Sequence, residues 1–221
     1  GIAGVQEIVE TSDGSVLIID GDGSELLFEK EGDAYQSPAG DFSTLEKQPD
    51  GTFRRTTKYQ SVYTFDAEHR LVSVEDTNGN ETQHVYTNGL LTKIIDPVEL
   101  ETIFSYTAGR LSAITDPANR TTQFEYDAAG NLSKIIDPDN TARTFEYDQA
   151  HRMTAEVDKR GNREQAFYDF AGRATHAIDK TGAVIQVNPA QTQGLFRPEQ
   201  TADLRQAPDV STAAIDDAIY A

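Results

Sequence analysis

The chain has 221 residues, with 19 Lys and Arg against 37 Asp and Glu, a formal net charge of −18. That sign argues against nucleic acid or an anionic membrane as partner, since both need a positive surface. The lack of Cys removes disulfides, thiolate metal sites and cysteine nucleophiles, and no apolar run is long enough to insert in a bilayer as a helix.

The chain begins at Gly1 and its only Met is Met153, so it reads as a processed protein or a segment of a longer one. Residues 1–58 read as an irregular β-meander continuing the sheet that follows. Val16-Leu17-Ile18-Ile19 and Glu25-Leu26-Leu27-Phe28-Glu29 flank Asp20-Gly21-Asp22-Gly23-Ser24, a hairpin signal. Asp13-Gly14 and Asp50-Gly51 mark two further turns.

From residue 59 to 187 the sequence repeats itself. Aromatics stand at Phe65, Tyr86, Tyr106, Tyr126, Tyr147 and Tyr168, at intervals of 21, 20, 20, 21 and 21. Aspartates stand at Asp76, Asp96, Asp116, Asp137, Asp158 and Asp179, the first five each ten residues before an aromatic. Five residues before each Asp comes Leu71, Leu91, Leu111, Leu132, Met153 or Ala174. The one-residue variation always falls between the aromatic and that apolar position, which predicts a turn of changeable length there.

Each unit reads as a β-hairpin. Thr122–Asp127 alternates apolar or β-branched with polar residues, as a half-buried strand does. Ala129-Gly130-Asn131 then turns the chain, Gly130 and Asn131 both tolerating positive φ. Gly109 and Gly172 hold the matching place in other units. Leu132–Ile136 makes the return strand, and Asp137-Pro138-Asp139-Asn140 turns it again. Leu132, Ile135 and Ile136 do not fit one face of a flat strand, nor do Leu91, Ile94 and Ile95, which predicts a bulge or strong twist. Residues 188–221, with Pro189, Pro198, Pro208 and four Gln, read as an extended tail or strap in which Ser211–Tyr220 alone suits a short helix.

The composite Phe124-x-Tyr126-Asp127-x-x-Gly130-Asn131-Leu132-x-x-Ile135-x-Asp137-Pro138 resembles the YD repeat of the Rhs family, related to repeats of teneurins and of polymorphic and insecticidal toxin shells. The resemblance covers residues 61–187, with Phe65 for the Tyr, Thr87 and Thr107 for the following Asp, and His69 and His151 for the turn Gly. It implies an all-β fold of tandem hairpins in a curved, spiralling antiparallel sheet, part of a shell. In toxin members such a shell encloses a payload freed by an aspartyl autoprotease. No match to that protease's motif is found, since Asp96-Pro97 and Asp137-Pro138 are repeat turns and Gly194-Leu195 lacks a preceding Asp-Pro.

The repeated aspartates invite a metal or sugar ladder, but Asp before Pro or Gly ordinarily starts a turn by accepting backbone N–H bonds. Asp20–Ser24 with Glu31 at the twelfth place echoes a calcium loop, yet Glu25 stands where that loop needs Gly. No cofactor is expected beyond a weak prospect of Ca²⁺. His69, His84, His151 and His176 are scattered, and no nucleophile–base or paired-carboxylate arrangement emerges from local spacing. The aromatics are expected to pack across neighbouring strands.

The functional expectation is therefore a non-enzymatic structural scaffold, a segment of a larger secreted or surface protein. Its partners are itself or adjacent segments, met through sheet edges and the tail. The alternatives are a self-assembling extracellular filament subunit and a carbohydrate- or receptor-binding adhesin module.

Overall fold

The computed structural model describes residues 5–186, so the expected tail and its short helix lie outside the described residues. Everything described is strand, turn or coil, and the fold is all-β and antiparallel. The chain divides into two compact units at Thr121/Thr122.

In the first unit β1 (Glu7–Glu10), β2 (Val16–Ile19), β3 (Glu25–Glu31) and β4 (Ala34–Gln36) make a four-stranded sheet of their own. The hairpin ladder then begins, strand after strand in chain order. It comprises β5 (Thr44–Lys47), β6 (Phe53–Thr56), β7 (Val62–Phe65), β8 (Leu71–Glu75), β9 (Glu81–Thr87), β10 (Leu90–Ile95), β11 (Glu101–Thr107) and β12 (Arg110–Thr115). Alternation in these short strands aims Ile8, Val16, Ile18 and Phe28 from the small sheet, and Leu45, Phe53, Phe65 and Leu71 from the ladder, into one core.

A buried polar cluster joins the same two sheets. Arg55 donates to both Asp41 carboxylate oxygens at 3.0 and 2.9 Å, to Ser43 Oγ at 3.1 Å and to Gln6 Oε1 at 3.3 Å. Gln6 in turn donates to Asp20 at 3.0 Å. Such a fork satisfies the guanidinium in an enclosed place, where an unpaired charge is costly.

The second unit continues with β13 (Thr121–Tyr126), β14 (Leu132–Ile136), β15 (Ala142–Tyr147), β16 (Met153–Val157), β17 (Arg163–Tyr168), β18 (Ala174–Ile178) and β19 (Val184–Gln186), again in chain order. Its packing differs. Ala155 is its one fully buried apolar residue among those described, while Leu132, Ile135 and Ile136 are half-buried. Each strand here leans on its neighbours along the sheet, so that stability accumulates hairpin by hairpin.

Asp20–Ser24 is the β2–β3 hairpin turn. Asp20 Oδ1 accepts the Gly21 N–H and Asp22 Oδ1 the Ser24 N–H, at 2.6 and 2.8 Å. Those carboxylates are engaged in closing a hairpin. In the turn Asp127–Asn131 only Gly130 has a positive φ, +90°. Asn131, expected to share that conformation, instead donates its side-chain amide to Asp127 at 2.8 Å.

The contrast between the units is measurable. Phe53→Ala, in the fully enclosed core, is expected to cost about 3–5 kcal/mol by urea denaturation. Val184→Ser, on an exposed strand, should stay within about 0.5 kcal/mol.

Candidate functional site

The residues singled out by the repeat meet at the joins between successive hairpins, and the turns explain how. Most share one five-residue form, in which the first N–H donates to the fifth carbonyl and the fourth N–H donates back to the first carbonyl. Its fourth residue is left-handed: Gly79, Gly130, Gly161 and Gly172 suit this, while His69 and His151 adopt it at φ 69° and 61°. Thr87–Leu90 and Thr107–Arg110 are tighter, with both central residues at positive φ, Asn88-Gly89 and Ala108-Gly109. Those two turns are one residue shorter, which accounts for the two 20-residue intervals.

Beyond each aromatic-side turn the register slips. Phe65 faces Leu71 while Thr64 faces Ser73, so Val72 is extra. The same slip falls at Thr92, Ser112, Ser133, Thr154 and Thr175. These bulges resolve the apolar triplets that no flat strand accommodates. Several bulged hydroxyls secure the kink by donating across the hairpin, Thr92 to the Val85 carbonyl, Ser133 to Glu125 and Thr175 to Phe167, each at 3.2 Å.

The bulge coincides with a backbone acceptor that the following hairpin uses. Tyr86 donates its hydroxyl to the Leu71 carbonyl at 3.0 Å, Tyr106 to Leu91 at 2.8 Å and Tyr168 to Met153 at 2.7 Å. Each bond crosses from one repeat to the one before it. The ring is held as well: the Arg70 guanidinium lies 4.9 Å from the Tyr86 centroid, and Arg152 the same distance from Tyr168. Asp66 orients Arg70 and Asp148 orients Arg152, at 2.6 and 2.7 Å. The Tyr86 and Tyr168 rings are thus clasped by a guanidinium and a carbonyl. At Tyr147 the join differs. Asn131 stands where Arg would, and its Oδ1 accepts from His151 Nδ1 at 2.6 Å.

The aspartate column heads the opposite turns. Asp76 Oδ1 accepts the Asn78 and Asn80 N–H groups at 2.8 and 2.9 Å. Asp96, Asp116, Asp158 and Asp179 do the same for the residues two and four ahead. Asp137 departs from this, pairing with Lys159 while Asp139 takes the turn's N–H. Side-chain bonds from Asn80, Arg120, Asn162 and Thr181 hold Asp76, Asp116, Asp158 and Asp179 below the usual carboxylate range.

An open depression over β15–β17 is lined by Glu146, Arg163, Gln165, Phe167 and Tyr168. Its charges are matched in place, Arg163 forking onto Glu146 at 2.6 and 2.7 Å. Among the described residues no group of three or more His, Cys, Asp or Glu is placed to hold a metal ion.

Sequence reasoning placed the Asp after each aromatic in the motif without giving it a role, and it did not single out the clasp arginines or the bulged Ser and Thr residues. All recur at the repeat period. Their roles show only once the bulge is in place.

The RHS repeat profile matches residues 106–142 and 126–163, and this stretch consists of RHS repeats. No curated protein matches the chain. Among solved structures it is similar to TcdB2-TccC3-TEV, at 14% identity and TM-score 0.44, covering 75% of this chain and 10% of that one. It is also similar to the Photorhabdus luminescens Tc holotoxin pore with a TccC3 mutation, at 13% and 0.44, covering 80% and 14%. A third, TcdB2-TccC3-Cdc42, stands at 14% and 0.46, covering 74% and 11%. The chain therefore spans only 10–14% of the length of these solved chains.

Tyr86→Phe and Tyr106→Phe should each cost about 0.5–1.5 kcal/mol in denaturant, the net worth of one hydrogen bond. Tyr147→Phe should cost less than either. In the pH dependence, burial pushes His84 below the ordinary histidine value, so the unfolded chain takes up that proton first. The stability His84 contributes above about pH 6.5 is therefore lost as the pH falls through that value, and His84→Leu should flatten that part of the melting profile. The turn aspartates act lower, their contribution vanishing as the pH drops below about 3.9.

Proposed function

We propose that the chain is a non-enzymatic structural scaffold, one segment of a larger secreted or surface Rhs/YD-repeat protein, meeting adjacent segments through its sheet edges. The observation that carries this reading is the use made of the repeat residues. Tyrosines, bulged carbonyls, clasp arginines and most column aspartates are committed to hairpin geometry or to the join between hairpins. Chemistry in such a molecule is mechanical: a carboxylate that accepts two backbone N–H bonds and a side-chain bond serves to fix a turn.

A second reading, a filament subunit, draws on β19, the last of the strands among the described residues. Val184 and Ile185 are 62% and 53% exposed on β19, and a strand with apolar side chains in the open is suited to strand addition.

Sedimentation of the full chain over a wide concentration range separates the two. The scaffold reading expects a mass near 24.3 kDa throughout, and mass that grows with concentration would replace it with the filament reading. Thermal shift against glycans and Ca²⁺ tests the same proposal from another side, because a ligand of the folded state raises the melting temperature. No shift is expected. A saturable shift with a glycan would overturn the scaffold reading in favour of an adhesin.

A further inference from the structure

The sequence holds two Asn-Gly steps, Asn78-Gly79 and Asn88-Gly89, and both lie in exposed turns between strands. At such a step a peptide chain readily reacts with itself, because the glycine nitrogen, unhindered by a neighbouring Cβ, comes within reach of the asparagine side-chain carbonyl. The turns separate the two. Gly79 donates its N–H to the Asp76 carbonyl at 3.1 Å, and Asp76 Oδ1 accepts the Asn78 N–H at 2.8 Å. That glycine nitrogen is engaged, and the backbone around Asn78 is fixed.

Gly89 is placed otherwise. The tight turn closes on the Thr87 and Leu90 pair, and the Gly89 N–H has no partner among the described residues. Neither does the Asn88 carboxamide. A Cβ at Gly89 would meet nothing within 4 Å, so the turn is open to solvent. The four Asp-Gly steps resemble Asn78-Gly79: Gly14, Gly23 and Gly51 donate to the carbonyls of Thr11, Asp20 and Gln48, and Gly21 donates to the Asp20 carboxylate. Asn88-Gly89 alone among these steps joins a carboxamide to an uncommitted glycine nitrogen.

We propose that Asn88-Gly89 is a self-modification site at which the chain deamidates. Hydroxide removes the Gly89 amide proton, the nitrogen attacks Asn88 Cγ, and the Cγ–Nδ2 bond breaks as ammonia departs, leaving a five-membered succinimide. One water then opens that ring. Attack at the former side-chain carbonyl gives aspartate, and attack at the former backbone carbonyl gives isoaspartate, whose main chain is one methylene longer. The longer chain does not fit a two-residue turn. Leu91, whose carbonyl accepts the Tyr106 hydroxyl at 2.8 Å, lies just beyond it. Conversion therefore loosens the β9–β10 hairpin and its join to the next repeat. The chemistry is independent of the scaffold reading.

The test incubates the full chain at mildly alkaline pH, then digests it with trypsin for sequencing by mass spectrometry. Both steps fall in one tryptic peptide, Leu71–Lys93, and are compared within one molecule. Acid is expected first at Asn88, mostly as isoaspartate, with Asn78 reacting roughly two- to tenfold more slowly, the net worth of its turn hydrogen bond. In urea the two should react at similar rates. Asn88→Ala should fold as the parent does, because Ala108 already holds that place in the sister turn at φ 50°. It should keep its melting temperature through the incubation while that of the parent falls. No acid at Asn88, acid at Asn78 as fast in the folded chain, or a difference that persists in urea would overturn the site. Conversion at Asn88 with an unchanged melting temperature would overturn the loosening of the hairpin.

Discussion

A hairpin ladder of this kind depends on what happens where one hairpin is laid against the next. Within a hairpin the antiparallel bonds close themselves, but the bulge after each aromatic-side turn breaks the ladder's rhythm and presents a carbonyl toward the neighbouring hairpin. The tyrosine hydroxyl of that neighbour reaches back fifteen residues to take it, as Tyr86 does at Leu71 and Tyr106 at Leu91. The defect introduced by one repeat is the binding site for the next. Where the bond is made it fixes the spacing of one repeat on the next, because a hydroxyl at the end of a rigid ring has a single reach.

The two units meet the cost of this architecture differently. In the first, the small sheet β1–β4 lays Ile8, Val16, Ile18 and Phe28 over Leu45, Phe53, Phe65 and Leu71, giving the start of the ladder a two-layer core. Arg55 and Asp41 add a buried, forked ion pair to those layers. Among its described residues the second unit has little such core, and its strands are joined edge to edge. There the polar links are dense: Asn131 to His151, Arg152 to the Asp169 carbonyl, and Arg163 to Glu146. A sheet with half-buried faces is held in register by contacts of this kind.

Much of this was legible in the sequence. The period, the all-β fold, the changeable turn and the need for bulges all follow from counting positions and testing them against a two-residue alternation. What was not legible has a physical cause in each case. The shorter turns at Thr87 and Thr107 replace Asp because a two-residue turn has no place for a carboxylate that caps N–H groups two and four residues on. The arginine clasp joins residues sixteen apart in sequence, and nothing local to Arg70 or Tyr86 announces it. Asp137 looks identical to its column mates, yet Asp139 beside it captures the turn and leaves Asp137 to Lys159. Competition between two nearby carboxylates is decided by geometry, which a motif does not contain.

The acidity of the chain acquires a reason from the same geometry. Most of the five-residue turns have a short acceptor at the head, and Asp supplies it with little side-chain freedom to lose, whereas Thr11, Gln48 and Thr57 head three others. A ladder with a turn after every strand therefore accumulates carboxylates as a consequence of its architecture, and their charge is dispersed along both rows of turns. Arg70, Arg120, Arg152 and Arg173 each answer an Asp four residues earlier, so these four basic residues follow from the same turns. The turn aspartates are thus one source of the net charge of −18, and the glutamates of the strands, such as Glu81, Glu101 and Glu125, are another.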